Sequence, residues 1–425
     1  MKRILLLLAI AANSCSYAQT SKVIPQAEVQ RIENMLASDD MRGRRAGTPD
    51  IDRAAGLIAT EFKKAGLQPL QGNSFLQTFS LMRPRLVSVT ASINGAEADP
   101  KTVIAVTCQP ELKVDEHSGY EAVFISSAEN LPQKVQSLIR ANRNIIAFVD
   151  TSFLKTFPRI ANFKRQLFKT STSVIFVASP SIPSSFQITV VHIVDEMRLT
   201  NIVGQLPGRS RKNEFVVFSG HYDHLGVKQQ TEQGDSIYNG ANDDAAGTTA
   251  VILLADYFHR RHDNERTLIF AAFTAEEIGG FGSQYFSRQL DPKQVMAMFN
   301  IEMIGTESKW GADAAYITGF EKTDMGAILQ KNLDGSSFHF YPDPYTTENL
   351  FYRSDNATLA RLGVPAHTIS TAKMENEPNY HKVSDEVSTL DLSNMSRIIE
   401  AIATSSSTII SGKDTPSRVQ TEGLR

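Results

Sequence analysis

The chain has 425 residues, of which 21% are charged, and 43 Lys and Arg stand against 46 Asp and Glu for a formal net charge of -3. Such a balance leaves no electrostatic footprint for nucleic acid or an anionic membrane, which removes polyanion binding from the candidate functions. Single cores stop growing at roughly 250 to 300 residues, so two domains are expected.

The first element is a leader. Met1-Lys2-Arg3 and the apolar stretch from Ile4 to Ala12 are too short to span a bilayer, and Ser16-Tyr17-Ala18 before Gln19 offers a small-x-small cleavage site. Residues 1–18 therefore predict an export signal and a periplasmic or extracellular destination. Cys15 is an alternative lipidation point, which Asn13-Ser14 fits poorly. With Cys15 removed, Cys108 stands alone and no intramolecular disulfide can form; Val106-Thr107 before it suits a small buried residue. No later stretch is long and apolar enough to cross a membrane.

Ser38 to Thr48 is polar and punctuated by glycine, which predicts a loop. Ile51, Ala54, Ala55, Ile58, Phe62 and Ala65 then recur at helical spacing between Pro49-Asp50 and Gly66. From 76 to 197 the texture changes: Val87, Val89, Ala91 and Ile93 alternate as a strand, 120–125, 145–149, 174–178 and 186–194 are further strands, and 132–140 is a helix. This predicts a mainly β insertion, with His117 in solvent and His192 inside an apolar strand. After residue 198 strands and helices alternate: strands at 215–219, 267–273, 296–302 and 364–369, helices at 244–260, 282–290, 325–333, 354–362 and 390–410. That rhythm predicts an α/β domain from 24–75 and 198–412 with a mixed, mostly parallel sheet, whose ligands gather at strand carboxyl ends. Residues 413–425 read as a loose polar tail, and His259, His262, His339 and His367 as structural.

The charged clusters fall where such ligands would gather. His221 ends the run Phe215-Val216-Val217-Phe218-Ser219-Gly220, and Asp223, two residues on, can hold its ring in one tautomer. His224 alternates away, toward a supporting or surface place. In Asn239-Gly240-Ala241-Asn242-Asp243-Asp244, one aspartate serves as a helix cap, and Asp244 is better placed for it. Asp243, at the turn, has two oxygens with which to bridge two ions. Glu276-Glu277 follows the buried run Leu268 to Phe273, where adjacent carboxylates are costly without a cation. One can ligate while the other faces an attacking water. Glu302 interrupts another apolar strand, and Tyr380-His381 pairs a hydroxyl donor with a candidate ligand. Histidine nitrogen with several carboxylates suits zinc and reads as a hydrolase.

The order and flanks of these segments resemble the co-catalytic di-zinc aminopeptidases, a family that includes glutamate carboxypeptidase-like enzymes and, more distantly, glutaminyl cyclases. The resemblance is carried by Ser219-Gly220-His221-Tyr222-Asp223-His224, Gly240-Ala241-Asn242-Asp243-Asp244, Thr274-Ala275-Glu276-Glu277-Ile278-Gly279, Asn300-Ile301-Glu302-Met303-Ile304-Gly305 and Tyr380-His381. It implies a three-layer α/β/α zinc-exopeptidase fold and a protease-associated-like insert. It further implies two Zn2+ ions, His221 and Glu302 binding one, Glu277 and His381 the other, with Asp243 between them. Glu276 would be the general base, Asp223 the orienting carboxylate and Tyr380 a donor to the tetrahedral intermediate. The family usually has aspartate at the position of Glu302 and often asparagine at that of Asp244.

The expected function is an exported aminopeptidase acting on peptides. The alternatives are a single-zinc glutaminyl cyclase-like acyltransferase, a carboxypeptidase using Arg353 or Lys373 for a terminal carboxylate, and an inactive surface binding module.

Overall fold

A computed structural model describes residues 24–228, 234–422 and 424 of the chain. The expected leader and Cys15 lie outside the described residues. In chain order the principal elements are helices α1 (Gln26–Leu36) and α2 (Pro49–Lys64), then strands β1 (Leu76–Ile93), β2 (Val103–Val106), β3 (Glu111–Asp115) and β4 (Glu121–Ile125). Helix α3 (Leu131–Arg140), strands β5 (Ile145–Val149), β6 (Val174–Ala178), β7 (Phe186–Leu206) and β8 (Arg211–His221), and helix α4 (Ala246–Arg261) follow. Next come β9 (Arg266–Phe273), α5 (Phe281–Ser287), β10 (Val295–Ile301), β11 (Ala314–Ile317), α6 (Met325–Asn332) and β12 (His339–Pro342). The last elements are α7 (Asn356–Ala360), β13 (Ala366–Ser370), α8 (Leu392–Ser405) and α9 (Ser407–Ile410).

The main sheet runs in the order β12-β11-β13-β10-β8-β9-β7-β1. Its centre is parallel: β8 lies between β9 and β10, and β10 pairs in parallel with β13. Beyond them β7 is antiparallel to β9, and β11 to β13. The strand period of two sends alternate residues of β8 to opposite faces. Val216 and Phe218 join the core formed with α1, α2, α4, α6 and α8, while Val217 joins the one formed with α5 and α7. Phe218 stacks between Phe270 and Phe299 at 5.5 and 4.9 Å. Each fully buried side chain of this size contributes roughly 1.5 to 3 kcal/mol. The result is a helix-sheet-helix sandwich.

Helix α2 starts at Pro49, where a missing N–H costs nothing, and is closed by Gly66 at φ 74°. Leu76 opens β1 and Met197 lies inside β7, so neither expected boundary is a linker. β1 and β7 form one long antiparallel ladder from Leu76↔Ile202 to Ile93↔Phe186, and β7 runs on to pair with β9. The segment 76–197, expected to be an inserted domain, carries its own four-stranded sheet, β2-β6-β5-β4, and its own apolar clusters. The helix expected at 132–140 is present as α3, and the 3-10 turns that follow β5 were not foreseen. β4, α3 and β5 make a parallel crossover unit, and 3-10 turns occupy Thr151–Phe153 and Phe157–Lys164. Among the described residues no helix is long and apolar enough to cross a membrane.

The stretch after Gly412, expected to be loose, is tied down. Buried Arg266 donates to the carbonyls of Ile409 and Asp414, and Val419 packs into the α5 and α7 core while its N–H bonds Gly363. Two apolar residues, Val419 and Leu424, in a polar tail gave little signal of this. His117 is solvent-exposed and His192 buried, as expected. His367 is buried between Thr323 Oγ1 and the Thr318 carbonyl, each at 2.8 Å.

Candidate metal centre

Three parallel neighbours deliver the site. β8 ends at His221, β9 ends just before Thr274-Ala275-Glu276-Glu277, and β10 ends at Ile301, one residue before Glu302. Their carboxyl ends share one edge, the usual ligand edge of such sheets. Ala275 turns the chain with φ 60°, uncommon for a residue with a Cβ, and is fully buried. The turn Ala241–Ala245 ahead of α4 supplies Asp243, and the segment after β13 brings in Tyr380 and His381.

Asp243 is the hub. Its Oδ1 stands 3.3 Å from His221 Nε2 and its Oδ2 3.2 Å from His381 Nε2. Glu277 Oε2 is 3.3 Å from His381 Nε2, while Glu277 Oε1 is 2.7 Å from His224 Nδ1. His224 is therefore neither at the surface nor remote. It is 1% exposed, and His224, Asp243 and Glu277 each offer one donor atom within 4.8 Å of the others. Extended alternation fails here because the strand stops at His221; the His224 N–H bonds the Arg44 carbonyl instead. Glu302 joins Asp243, Glu276, Tyr380 and His381 around a cavity of about 80 Å3. Among the described residues no ion pair within 4 Å reaches Glu302, in contrast to Glu277.

The donor set fits a cation. Among the described residues His224 Nε2 and Glu302 Oε2 are buried with no hydrogen-bond partner, and His221 Nε2, His224 Nδ1 and Glu277 Oε1 meet only other candidate ligands, without hydrogen-bond alignment. Such groups cost roughly 1 to 3 kcal/mol each unless something satisfies them. Imidazole nitrogens and carboxylate oxygens are the ligands zinc accepts.

Electrostatics point the same way. Burial drives Glu302 up to about 7, with Asp243 adding to the rise against the pull of His221. Burial also drives Glu276 well above the usual carboxylate range, and Glu302, Asp355 and Asp223 reinforce it. For Asp243 burial works upward but is outweighed by His221 and His381, which hold the carboxyl far below its ordinary value. His381 is raised to about 9 by its contacts with Asp243 and Glu277. Tyr380 stacks on the His381 ring at 3.9 Å and is pushed up by burial and by Asp243, Glu302 and Glu277.

Asp223 works differently from expectation. His221 Nδ1 lies 3.1 Å from the Asp223 main-chain carbonyl, while the carboxylate is 3.8 Å away. The carboxylate instead accepts the N–H groups of Glu276 at 3.0 Å and Glu277 at 3.3 Å. It aims the glutamate turn as well as the histidine. Asp244 caps as expected, accepting Gly247 N–H at 2.9 Å, and it also accepts the N–H groups of His221 and Met303.

Two supports escaped the sequence reading. Arg44, in the segment expected to be a polar loop, is fully buried and donates to the carbonyls of Leu36, Tyr222, Asn239 and Gly240, clamping the chain on both sides of the site. Asp385 accepts the N–H groups of Asn242 at 2.8 Å and Asp243 at 3.0 Å. Its nearness to His381 in sequence was the available signal. Gly240 is required at φ 58°, where a Cβ would fall 2.5 Å from the His224 ring.

Residues 201–406 match the model of peptidase family M28. Over 115 residues the chain is 32% identical to a probable zinc metalloprotease of Pyrenophora tritici-repentis, a match covering 27% of this chain and 26% of that protein. A probable zinc metalloprotease of Pyricularia oryzae is 28% identical over 130 residues, 30% of this chain and 25% of its own length. The chain thus spans about a quarter of the curated relatives it matches. Among solved structures, a zinc aminopeptidase from Bacillus subtilis superposes with TM-score 0.55 at 16% identity, covering 95% of this chain and 100% of that one. An aminopeptidase from Aneurinibacillus sp. strain AM-1 gives 0.53 at 17% identity, with 95% and 98% covered. At these identities the likeness is one of fold.

Proposed function

Through residues 201–406 the chain belongs to peptidase family M28, and on that premise we propose that it is an exported zinc-dependent exopeptidase, an aminopeptidase removing amino-terminal residues from peptides. The observation that carries this is the placement of Asp243, whose two oxygens face different histidines at 3.3 and 3.2 Å. His221 and Glu302 would hold one zinc, Glu277 and His381 the second, and Asp243 would serve both. When bound, zinc supplies Lewis-acid charge that acidifies water and stabilises negative charge developing on the scissile carbonyl.

Glu276 takes the proton of the attacking water and returns it to the leaving amine. Its raised affinity for protons, set by burial among Glu302, Asp355 and Asp223, suits that role. Asp223 fixes the base by accepting its N–H. Tyr380, kept protonated, donates to the oxyanion. The cavity lined by Asp243, Glu276 and Glu302 is acidic, which favours a substrate ammonium over a terminal carboxylate. Arg353 also lines it, but its Nη1 is 3.2 Å from Glu348 Oε2.

The test is Glu276→Gln. Turnover of an aminoacyl chromogenic substrate should fall by about 10²- to 10⁴-fold while zinc per chain is retained. Amino-blocked substrates should resist the unmodified protein, and a chelator should abolish its activity. Near-normal turnover in the variant sinks the proposal.

A further inference from the structure

A second cavity, of about 1050 Å3, opens on the other side of the Glu276-Glu277 turn, between the insertion and α5. It exceeds the usual range for a drug-sized ligand, which is up to about 1000 Å3. The insertion contributes Arg140 at the end of α3 together with Arg165, Phe168 and Lys169, and α5 is followed by Arg288 on the facing wall. Among the described residues lining this cleft, Glu277 is the single carboxylate, and none of the four cations has an ion-pair partner within 4 Å. Elsewhere the arginines of this chain commonly do, as Arg31, Arg143 and Arg397 show.

Arg288 is positioned by an aromatic ring rather than a carboxylate. Its guanidinium carbon sits 4.1 Å from the centroid of Phe168, which leaves the planar N–H fork to a ligand. Like charges gathered around one concavity repel each other until an anion enters. Burial lowers the proton affinity of Arg288, and the charge of Arg140 adds a smaller push in the same direction. A concave cleft between two walls also excludes a flat anionic surface.

Two adjacent glutamates line different spaces: Glu276 faces the acidic cavity of about 80 Å3 and Glu277 the basic cleft of about 1050 Å3. A peptide bond held between them has its amino-terminal residue in the small cavity and the rest of the chain in the cleft. We infer that the basic cleft receives the residues on the carboxyl side of the scissile bond and selects peptides bearing carboxylates there, as acidic side chains or as the free carboxyl terminus of a short peptide. The direction of binding rests on the aminopeptidase reading; the preference for carboxylates rests on the cations.

The experiment uses zinc-loaded full chain and tetrapeptides that begin with leucine and continue with three alanines or three glutamates, each with a free or amidated carboxyl terminus. At about 0.02 M salt the triglutamate peptides should have kcat/KM roughly tenfold above the amidated trialanine peptide, and at about 0.5 M salt that ratio should fall toward one. The ratio should also collapse at low salt in the combined variant Arg140→Gln, Arg165→Gln, Lys169→Gln, Arg288→Gln. A gain confined to peptides with a free carboxyl terminus assigns the cleft to the terminus; a gain from glutamates in the amidated peptide assigns it to side chains. Cleavage with no charge preference, or a preference that survives the combined variant, overturns the inference and leaves the aminopeptidase reading standing. Calorimetric binding of an acetylated triglutamate peptide separates the two ideas. Binding that is lost in the combined variant upholds the cleft even where no peptide is hydrolysed, and absence of both charge-dependent cleavage and charge-dependent binding overturns it.

Discussion

On one side of Asp243 the candidate ligands already touch, and on the other they do not. Glu277 meets His381 at 3.3 Å and His224 at 2.7 Å, and His381 meets Asp243 at 3.2 Å. Opposite them, His221 approaches Asp243 at 3.3 Å, but among the described residues Glu302 has no ion-pair partner, and burial drives it to about 7. Burial works upward on Glu277 but His224 and His381 outweigh it and lower the proton affinity of its carboxyl, whereas burial raises that of Glu302 to about 7, so a cation at Glu302 competes with a proton more. The Glu277 side is therefore the better-prepared half, and the two halves should differ in affinity for zinc.

Asp243→Ala breaks both halves together. Zinc content should fall below one ion per chain and turnover by about 10³-fold, as when a central charge-stabilising group is removed. Zinc retained at two ions by mass spectrometry would remove Asp243 from the hub. Glu302→Asp probes only the weaker half. Its shorter side chain should change the affinity for the second, weaker zinc by about tenfold and leave the first in place. A calorimetric titration in which both ions shift together would erase the distinction between the halves. His224→Asn is the smaller perturbation. If His224 steadies Glu277, the tighter site should weaken by up to about tenfold while the looser site stays put.

The asymmetry marks what the sequence could and could not convey. The β8 run Phe215 to Phe218, the glutamate turn after β9 and the interruption of an apolar strand by Glu302 are local contrasts of burial and charge, so they are readable residue by residue. Two-residue alternation misplaced His224 because the chain leaves the strand at His221 and is drawn back to Arg44. Arg44 and Asp385 act through main-chain carbonyls and N–H groups far along the chain, and such partners leave no trace in composition or spacing. The long ladder of β1 and β7 similarly runs through the boundaries expected at 76 and 197 as continuous strand, so no linker composition marks them.

Behind the hub the comparison extends to a carboxylate that no ion is expected to satisfy. Glu33 of α1 is fully buried, among the described residues neither of its oxygens has a well-aligned hydrogen bond, and burial raises it to about 8 against the lowering pull of Thr249 and Arg44. The folded protein thus holds this proton up to about pH 8, whereas the unfolded chain releases it near the ordinary value of about 4.5. A group with a raised folded value contributes stability that is complete below the unfolded value and lost as pH rises through the folded one. The contribution of Glu33 should decline between about pH 5 and 8, at up to about 1 kcal/mol per pH unit. Glu33→Gln keeps the shape and removes the titration. Denaturant unfolding of the metal-free variant should show a shallower loss of stability across that window, with turnover of the zinc-loaded form changed least among these substitutions. An unchanged pH slope would place the proton elsewhere and leave Glu33 ionised beside Arg44.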